Sequence, residues 1–178
     1  MTALDSYARH AEIWGFFSDD RTTEASFWET LARKYGEKVL SLMAATGDMA
    51  AALARHGLHV TAVDFIPAMI AEGQRRYGDM AALNMVAGDV RSFSLAERSY
   101  DFAFTLDFNH LLTKTDALCT LHQIGQHLHT GAGLALELWF PADKSWSTPR
   151  RRFEPLQFPP DQQSLPASDY FRLLMKPC

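Results

Sequence analysis

Between residues 38 and 140 the chain repeats one pattern: a short apolar run, a small or polar turn, then apolar residues at every third or fourth position. The first run, residues 38–43, is Lys-Val-Leu-Ser-Leu-Met, and the small-residue turn Ala44-Ala45-Thr46-Gly47-Asp48 follows it. Residues 49–56 carry apolar side chains at helical spacing, and Gly57 stands just past them, where a helix end favours a left-handed residue. Residues 59–63 predict a second strand with Asp64 at its tip. Pro67 then opens a helix over 68–77. Residues 83–87 read as a third strand ending at Gly88-Asp89-Val90, and 100–104 as a fourth, running on through Leu106 to Asp107, Asn109 and His110. The spacing predicts a long helix over 114–129 with Leu118, Leu121, Ile124 and Leu128 on one face, a turn at Thr130-Gly131-Ala132-Gly133, and a nearly all-apolar fifth strand over 134–140. Strands alternating with helices at this rhythm predict a three-layer αβα domain, an α/β fold whose mainly parallel sheet is covered on both faces.

The flanks differ from this core. Residues 7–17 place Tyr7, Ile13, Trp14 and Phe17 at roughly helical spacing. The segment reads either as an amphipathic helix packed on the domain or as a lid whose aromatics, with Arg21, close over a ligand. A second helix is predicted over 22–35, capped by Thr22 or Thr23, with Phe27, Trp28, Leu31 and Tyr35 facing inward and Gly36 as its stop. From 141 onward the chain is rich in proline and polar residues, carries the basic run Arg150-Arg151-Arg152, and offers at most two short strand-like pieces, 153–158 and 170–175. The expected organisation is a helical N-terminal lid at 1–36, a core at 37–141, and an irregular tail at 142–178 packed on the core or on a second subunit. An apolar fifth strand left uncovered would be an exposed edge, which points to a homodimer.

The 178 residues suit one domain, and a formal net charge of −4 gives no general attraction to nucleic acid or to an anionic membrane. No apolar run approaches the ~20 residues that span a bilayer, and the first residues lack the pattern of a signal peptide, so a cytoplasmic protein is expected. Two cysteines, and seven histidines without metal-ligand spacing, predict neither a disulfide framework nor a metal site, and His127 reads as a solvated helix residue. His110, beside Asp107 and Asn109, is the histidine with a chemical opportunity: imidazole titrates near neutrality and can serve as a general base.

The unit over 38–64 sets small residues against whatever binds at the helix N-terminus, and Asp64 can accept two hydrogen bonds from a ribose diol. A nucleoside cofactor is the expected ligand. With Gly47 closing the first turn, Val63-Asp64-Phe65-Ile66-Pro67-Ala68-Met69, Gly88-Asp89-Val90, Tyr100-Asp101-Phe102-Ala103 and Leu128 to Gly133 in order, the chain resembles the class I S-adenosylmethionine-dependent methyltransferases of the small-molecule type with an N-terminal helical lid. The resemblance implies the Rossmann-like methyltransferase fold and a small-molecule substrate. It further implies that the turn holding Ala44, Ala45 and Gly47 faces the methionine half of S-adenosylmethionine. Asp64 would hold the ribose hydroxyls, and Phe65 and Met69 would pack on adenine. Asp89 would accept from the adenine amino group beside the Val90 backbone, and Leu106 to His110 would lie near the sulfonium and the acceptor. Asp107 and His110 are the candidate catalytic residues; Tyr7, Trp14, Arg21 and Asn109 are the lid or substrate candidates. A nicotinamide dehydrogenase uses similar elements, but the Gly88-Asp89 step and the spacing from Asp64 to Met69 favour the methyltransferase.

Two departures stand out. The family's first motif reads acidic-x-Gly-x-Gly-x-Gly, and here those positions are Ser41, Met43, Ala45 and Gly47. A non-glycine residue held in left-handed geometry loses roughly 1–2 kcal/mol. A missing charge-assisted hydrogen bond, worth roughly 1.5–3 kcal/mol, weakens binding by about 10- to 100-fold. Met43 also brings a long side chain to the expected path of the cofactor's tail. The second departure is the tail, expected to be too short for the usual C-terminal helix and antiparallel strand pair, as in a naturally short or truncated member. The alternative function is therefore a methyltransferase-like protein that has lost catalysis and serves as a binding or assembly module.

Overall fold

Six strands line up in the order β3-β2-β1-β4-β5-β6, all parallel, in a computed structural model that describes residues 9–14, 24–111, 113–138 and 174–175. Tyr7, Arg21, the caps expected at Thr22 and Thr23, and the Arg150 to Arg152 run lie outside the described residues. After the 3-10 turn Ala11–Ile13, helix α1 (Ala25–Ala32) leads through Gly36 into β1 (Lys38–Leu42). The turn after β1 opens α2 (Asp48–Arg55), and β2 (His59–Asp64), α3 (Pro67–Tyr77) and β3 (Leu83–Ala87) follow. The chain then crosses to β4 (Tyr100–Thr105), a short 3-10 turn (Phe108–His110), α4 (Lys114–Gly125), β5 (Leu128–Leu138) and β6 (Leu174–Met175).

β1 and β2 are buried at every position after their first, as strands in the middle of a doubly covered parallel sheet must be. Alternation then assigns faces. Val39, Phe102 and Phe104 point toward α1 and α2, where Trp28 stacks on Phe104 with ring centroids 5.0 Å apart. Leu40, Leu42 and Ala103 point the other way, toward Phe93, Tyr100 and Ile124. Half of the residues of α2 are alanine, which lets it lie close to the sheet, and seven of its eight residues are buried. Gly57 takes φ 86 past its end, the left-handed conformation expected there.

The expected boundary between the last long helix and the fifth strand is corrected. α4 stops at Gly125, and β5 begins at Leu128, so Leu128 lies in the sheet opposite Tyr100 instead of on the helix face. Thr130 to Gly133 is no free turn: pairing passes from Tyr100↔Leu128 to Phe102↔Gly133, and the surplus residues form an irregularity within the strand around Gly131, φ 93. His127 lies in the turn between α4 and β5. It is fully buried, its Nδ1 lies 2.8 Å from the Gln123 carbonyl oxygen, its Nε2 accepts from the Leu95 N–H at 3.2 Å, and its ring stacks on Phe93. The expectation of a solvated His127 fails because this backbone N–H and C=O need a partner away from water.

Two further details differ from expectation. Phe27 is 48% exposed, not inward, because Trp28 takes the core side of α1 and Phe27 meets it edge-on. Leu118, on α4, is 42% exposed, while Ile124 carries that helix's packing. The edge of β5 receives a neighbour from the same chain, since Leu174 and Met175 pair with Glu137 and Leu138. Among the described residues no helix is long and apolar enough to cross a membrane.

Candidate functional site

The connections from β1 run to β2 and β3 on one side of the sheet, whereas β4 and β5 lie on the other. The strand order therefore reverses between β1 and β4, and the carboxyl ends of strands at such a switch point are the place where open α/β sheets bind ligands. The turn after β1 lies there. Met43, Ala45 and Gly47 all take left-handed φ, at 56, 50 and 76. These are the three alternate positions at which the family pattern has glycine. The backbone takes a conformation that favours glycine at all three positions, although only Gly47 is a glycine.

Asp64 locks that turn to the end of β2. Its Oδ2 accepts from the Ala45 N–H at 2.7 Å and its Oδ1 from the Ile66 N–H at 2.9 Å. Each oxygen keeps capacity for a second donor, which is the requirement for holding a diol. Burial raises the Asp64 pKa above the ordinary carboxylate value, against the lowering by the two backbone N–H groups; Asp107 adds to the rise and His110 opposes it. Those last two influences bring Asp107 and His110 within electrostatic reach of Asp64, so three of the expected site residues converge. Beside Asp64, Phe65 is 48% exposed, whereas Met69 and Val90 are buried at 1% and 6% exposure. Ala44 is held by its N–H to the Val63 carbonyl oxygen at 3.1 Å.

Asp89 has a partner that sequence reasoning did not supply. Arg91 donates from Nε to both carboxylate oxygens, at 2.9 and 3.1 Å, from Nη2 to Oδ2 at 2.6 Å, and from its backbone N–H to Oδ1 at 2.9 Å. Its Nη1 reaches Asp116 at the start of α4, 2.9 Å away. The guanidinium holds both the Asp89 and Asp116 carboxyls below the usual range. An arginine two residues after a strand-end aspartate was the available signal.

On the β4 side, Leu106 packs on the core cluster that faces α1 and α2, and Asp107 precedes the 3-10 turn that carries Asn109 and His110 to the surface. The Asp107 N–H reaches Thr105 Oγ1 at 3.4 Å, and the same hydroxyl donates to Met43 Sδ at 3.5 Å. Thr105 is a second residue that the sequence did not single out. Trp14 is half-buried in a segment that meets α3, where Arg76 Nη2 donates to the Glu12 carbonyl oxygen at 3.4 Å.

A family model described as a methyltransferase domain matches residues 39–131 of this chain. The chain belongs to the methyltransferase-domain family. Within the family, a demethylmenaquinone methyltransferase of Beutenbergia cavernae is 40% identical over 89 residues, covering 50% of this chain and 35% of that protein. One of the same name from Corynebacterium efficiens is 36% identical over 92 residues, covering 52% and 37%. The chain thus spans little more than a third of the length of the curated relatives it matches. Among solved structures, Streptomyces venezuelae DesVI superposes with a TM-score of 0.65 at 22% identity, over 74% of this chain and 58% of that one. S-adenosylmethionine-bound CalS10, an amino pentose methyltransferase from Micromonospora echinaspora, superposes with a TM-score of 0.57 at 26% identity, over 68% and 51%. These likenesses agree with the parallel sheet and flanking helices described above.

Proposed function

We propose that this methyltransferase-family chain binds S-adenosylmethionine across the ends of β1, β2 and β3 and transfers its methyl group to a small-molecule acceptor at the end of β4. The observation that carries the reading is Asp64: a strand-end carboxylate fixed by two backbone N–H groups with acceptor capacity to spare. The residues fit the nucleoside half of the cofactor. Asp64 accepts from the ribose hydroxyls, the exposed Phe65 ring covers the adenine, and Asp89 with the Val90 backbone receives the adenine amino group once Arg91 shares its hold. Ala44, Ala45 and Gly47 bring backbone close to the ligand, and the buried Met69 supports the adenine floor.

When bound, S-adenosylmethionine supplies an electrophilic methyl group on its sulfonium. The chain's contribution is orientation, which suffices for much of the rate of an in-line transfer. Leu106 and Asn109 border the acceptor, and a ring nitrogen of His110 takes the proton that the acceptor's hydroxyl or amine releases, with Asp107 beside it. The names of the relatives, a demethylmenaquinone and an amino pentose methyltransferase, support a small molecule as acceptor. A second reading, a family member that binds partners without catalysis, is favoured by one observation: Met43 and Ala45 strained where glycine belongs.

Calorimetric titration with S-adenosylmethionine and S-adenosylhomocysteine separates the two. Micromolar binding that Asp64→Ala abolishes supports the enzyme. No heat and no thermal shift up to millimolar ligand overturns it in favour of the second reading.

A further inference from the structure

The turn between β1 and α2 holds Met43 and Ala45 at φ 56 and 50, and a conformation that side chains disfavour persists only where neighbours impose it. On the β2 side the Ala44 N–H donates to the Val63 carbonyl oxygen at 3.1 Å, and the Ala45 N–H to Asp64 Oδ2 at 2.7 Å. On the other side the turn is held by α3, and the link is Asp48. This residue opens α2 directly after Gly47 and is 9% exposed. Its Oδ2 accepts from the hydroxyl of Thr46, a fully buried residue of the turn. Its Oδ1 accepts from the Tyr77 hydroxyl and from Arg76 Nη1, the latter at 3.1 Å. Arg76 Nε donates to Glu72 at 2.7 Å and its Nη2 to the Glu12 carbonyl oxygen at 3.4 Å, so the guanidinium is fixed at three points. α3 also touches the turn itself, since a Cβ on Gly73 would stand 2.5 Å from the Thr46 carbonyl oxygen.

We propose that Asp48 is a positioning residue: anchored to α3 by Tyr77 and Arg76, it fixes Thr46 and thereby holds the turn over 43–47 in the left-handed shape that glycine would adopt without strain. The inference rests on the reading that this turn faces a nucleoside ligand. With methionine and alanine at positions 43 and 45, a turn released from Asp48 relaxes toward shapes that do not bind, and apparent affinity falls with the fraction of chains that keep the binding shape. Hydrogen bonds to a carboxylate are stronger than those to a neutral acceptor, which suits Asp48 to this task. Because it acts through the turn and not on the ligand, its effect depends on the residues that strain the turn.

The test is a double-mutant cycle on the full chain. Asp48→Asn, which keeps the size and removes the charge, is made in the native background and together with Met43→Gly and Ala45→Gly; Tyr77→Phe takes its place should it fail to fold. Calorimetry with S-adenosylhomocysteine is expected to show binding about 10-fold weaker for Asp48→Asn in the native background, and weaker by less than about 3-fold in the glycine background. The urea midpoint is expected to follow, falling less where the glycines are present. An equal loss of affinity in both backgrounds is the additive behaviour of independent sites, and it overturns the inference while the proposed function stands. Unchanged affinity in the native background overturns it as well. If S-adenosylhomocysteine fails to bind the native chain up to millimolar concentration, the proposed function falls, and the urea midpoints decide the inference alone. Equal drops in the two backgrounds then overturn it, and a smaller drop in the glycine background upholds it.

Discussion

The Ala45 N–H donates to Asp64 Oδ2 at 2.7 Å while Ala45 itself is held at φ 50. The hydrogen bond that fixes the candidate ribose acceptor is thus made by a residue in a conformation that only glycine adopts without strain. The same is true two residues earlier at Met43, φ 56. A left-handed non-glycine residue costs roughly 1–2 kcal/mol, and glycine's extra chain entropy takes back roughly 0.5–1 of it. Ala45→Gly is therefore expected to stabilise the fold by about 0.5–1 kcal/mol, read as a higher urea midpoint at unchanged slope. A lower midpoint would mean that the turn is relaxed around alanine, and the strain argument would fail.

Gly133 makes the opposite prediction. A Cβ there would stand 2.5 Å from Cε2 of Tyr35, whose ring stacks on Phe102 with centroids 5.8 Å apart. Neither ring can retreat without disturbing the sheet face that supports α1. Gly133→Ala is expected to destabilise by about 1–3 kcal/mol, the usual cost of overpacking a core. Thermal unfolding checks it, and a melting temperature equal to that of the native chain would show that Tyr35 swings aside freely.

Much of this architecture is legible in the sequence, because the information is local. The apolar run before Ala44, the glycine at 57 and the acid at 64 define a βαβ unit without reference to anything distant, and β3 falls on residues 83–87 as its composition predicts. The start of β5 was illegible for the opposite reason. Residues 128–133 have no period of their own, and their strand conformation is imposed by pairing with Tyr100 and Phe102 across the sheet. His127 is similar: nothing in its neighbours foretells that Leu95, 32 positions away, presents a backbone N–H to it. At the site, the identity of Asp64 could be read from its place at a strand tip. The Met43–Thr105 contact and the Arg91 clamp depend on side-chain directions, which spacing does not encode.

The clamp on Asp89 has a measurable consequence for binding. With four hydrogen bonds from three Arg91 donors on its two oxygens, Asp89 has little capacity left for an adenine amino group unless Arg91 yields. Arg91 is 46% exposed at its side chain, so solvent screens the pair it must give up and little is lost when it swings away. Arg91→Gln is expected to tighten S-adenosylhomocysteine binding by up to about 5-fold, with no comparable change for homocysteine alone. Weaker binding in that variant would mean that Arg91 contributes to the ligand directly and that the competition assigned to it is wrong.

Acid should weaken the ion-pair network on α3. Glu72, with its side chain 6% exposed, accepts from Arg75 Nε and Nη2 at 2.7 and 2.6 Å and from Arg76 Nε at 2.7 Å. Arg76 continues to Asp48 at 3.1 Å, and to the Glu12 carbonyl oxygen of the N-terminal segment at 3.4 Å. The hydrogen bonds from Arg75, ahead of those from Arg76, bring the Glu72 pKa down from 4.5 to about 2. A carboxylate whose folded pKa lies below its unfolded value contributes stability that is complete above the unfolded value and drains away as the pH falls through the folded one. For Glu72 that window runs from 4.5 down to about 2. Urea midpoints measured at pH 7 and at pH 3 should fall further for the native chain than for Glu72→Gln, whose amide has no proton to take up in this range. Loss of the Glu72 charge also frees Arg76, so protease cleavage near Glu12 should quicken over the same interval. If the two proteins lose stability in parallel, the acid sensitivity belongs to other carboxylates and Glu72 does not hold α3 to the segment that crosses it.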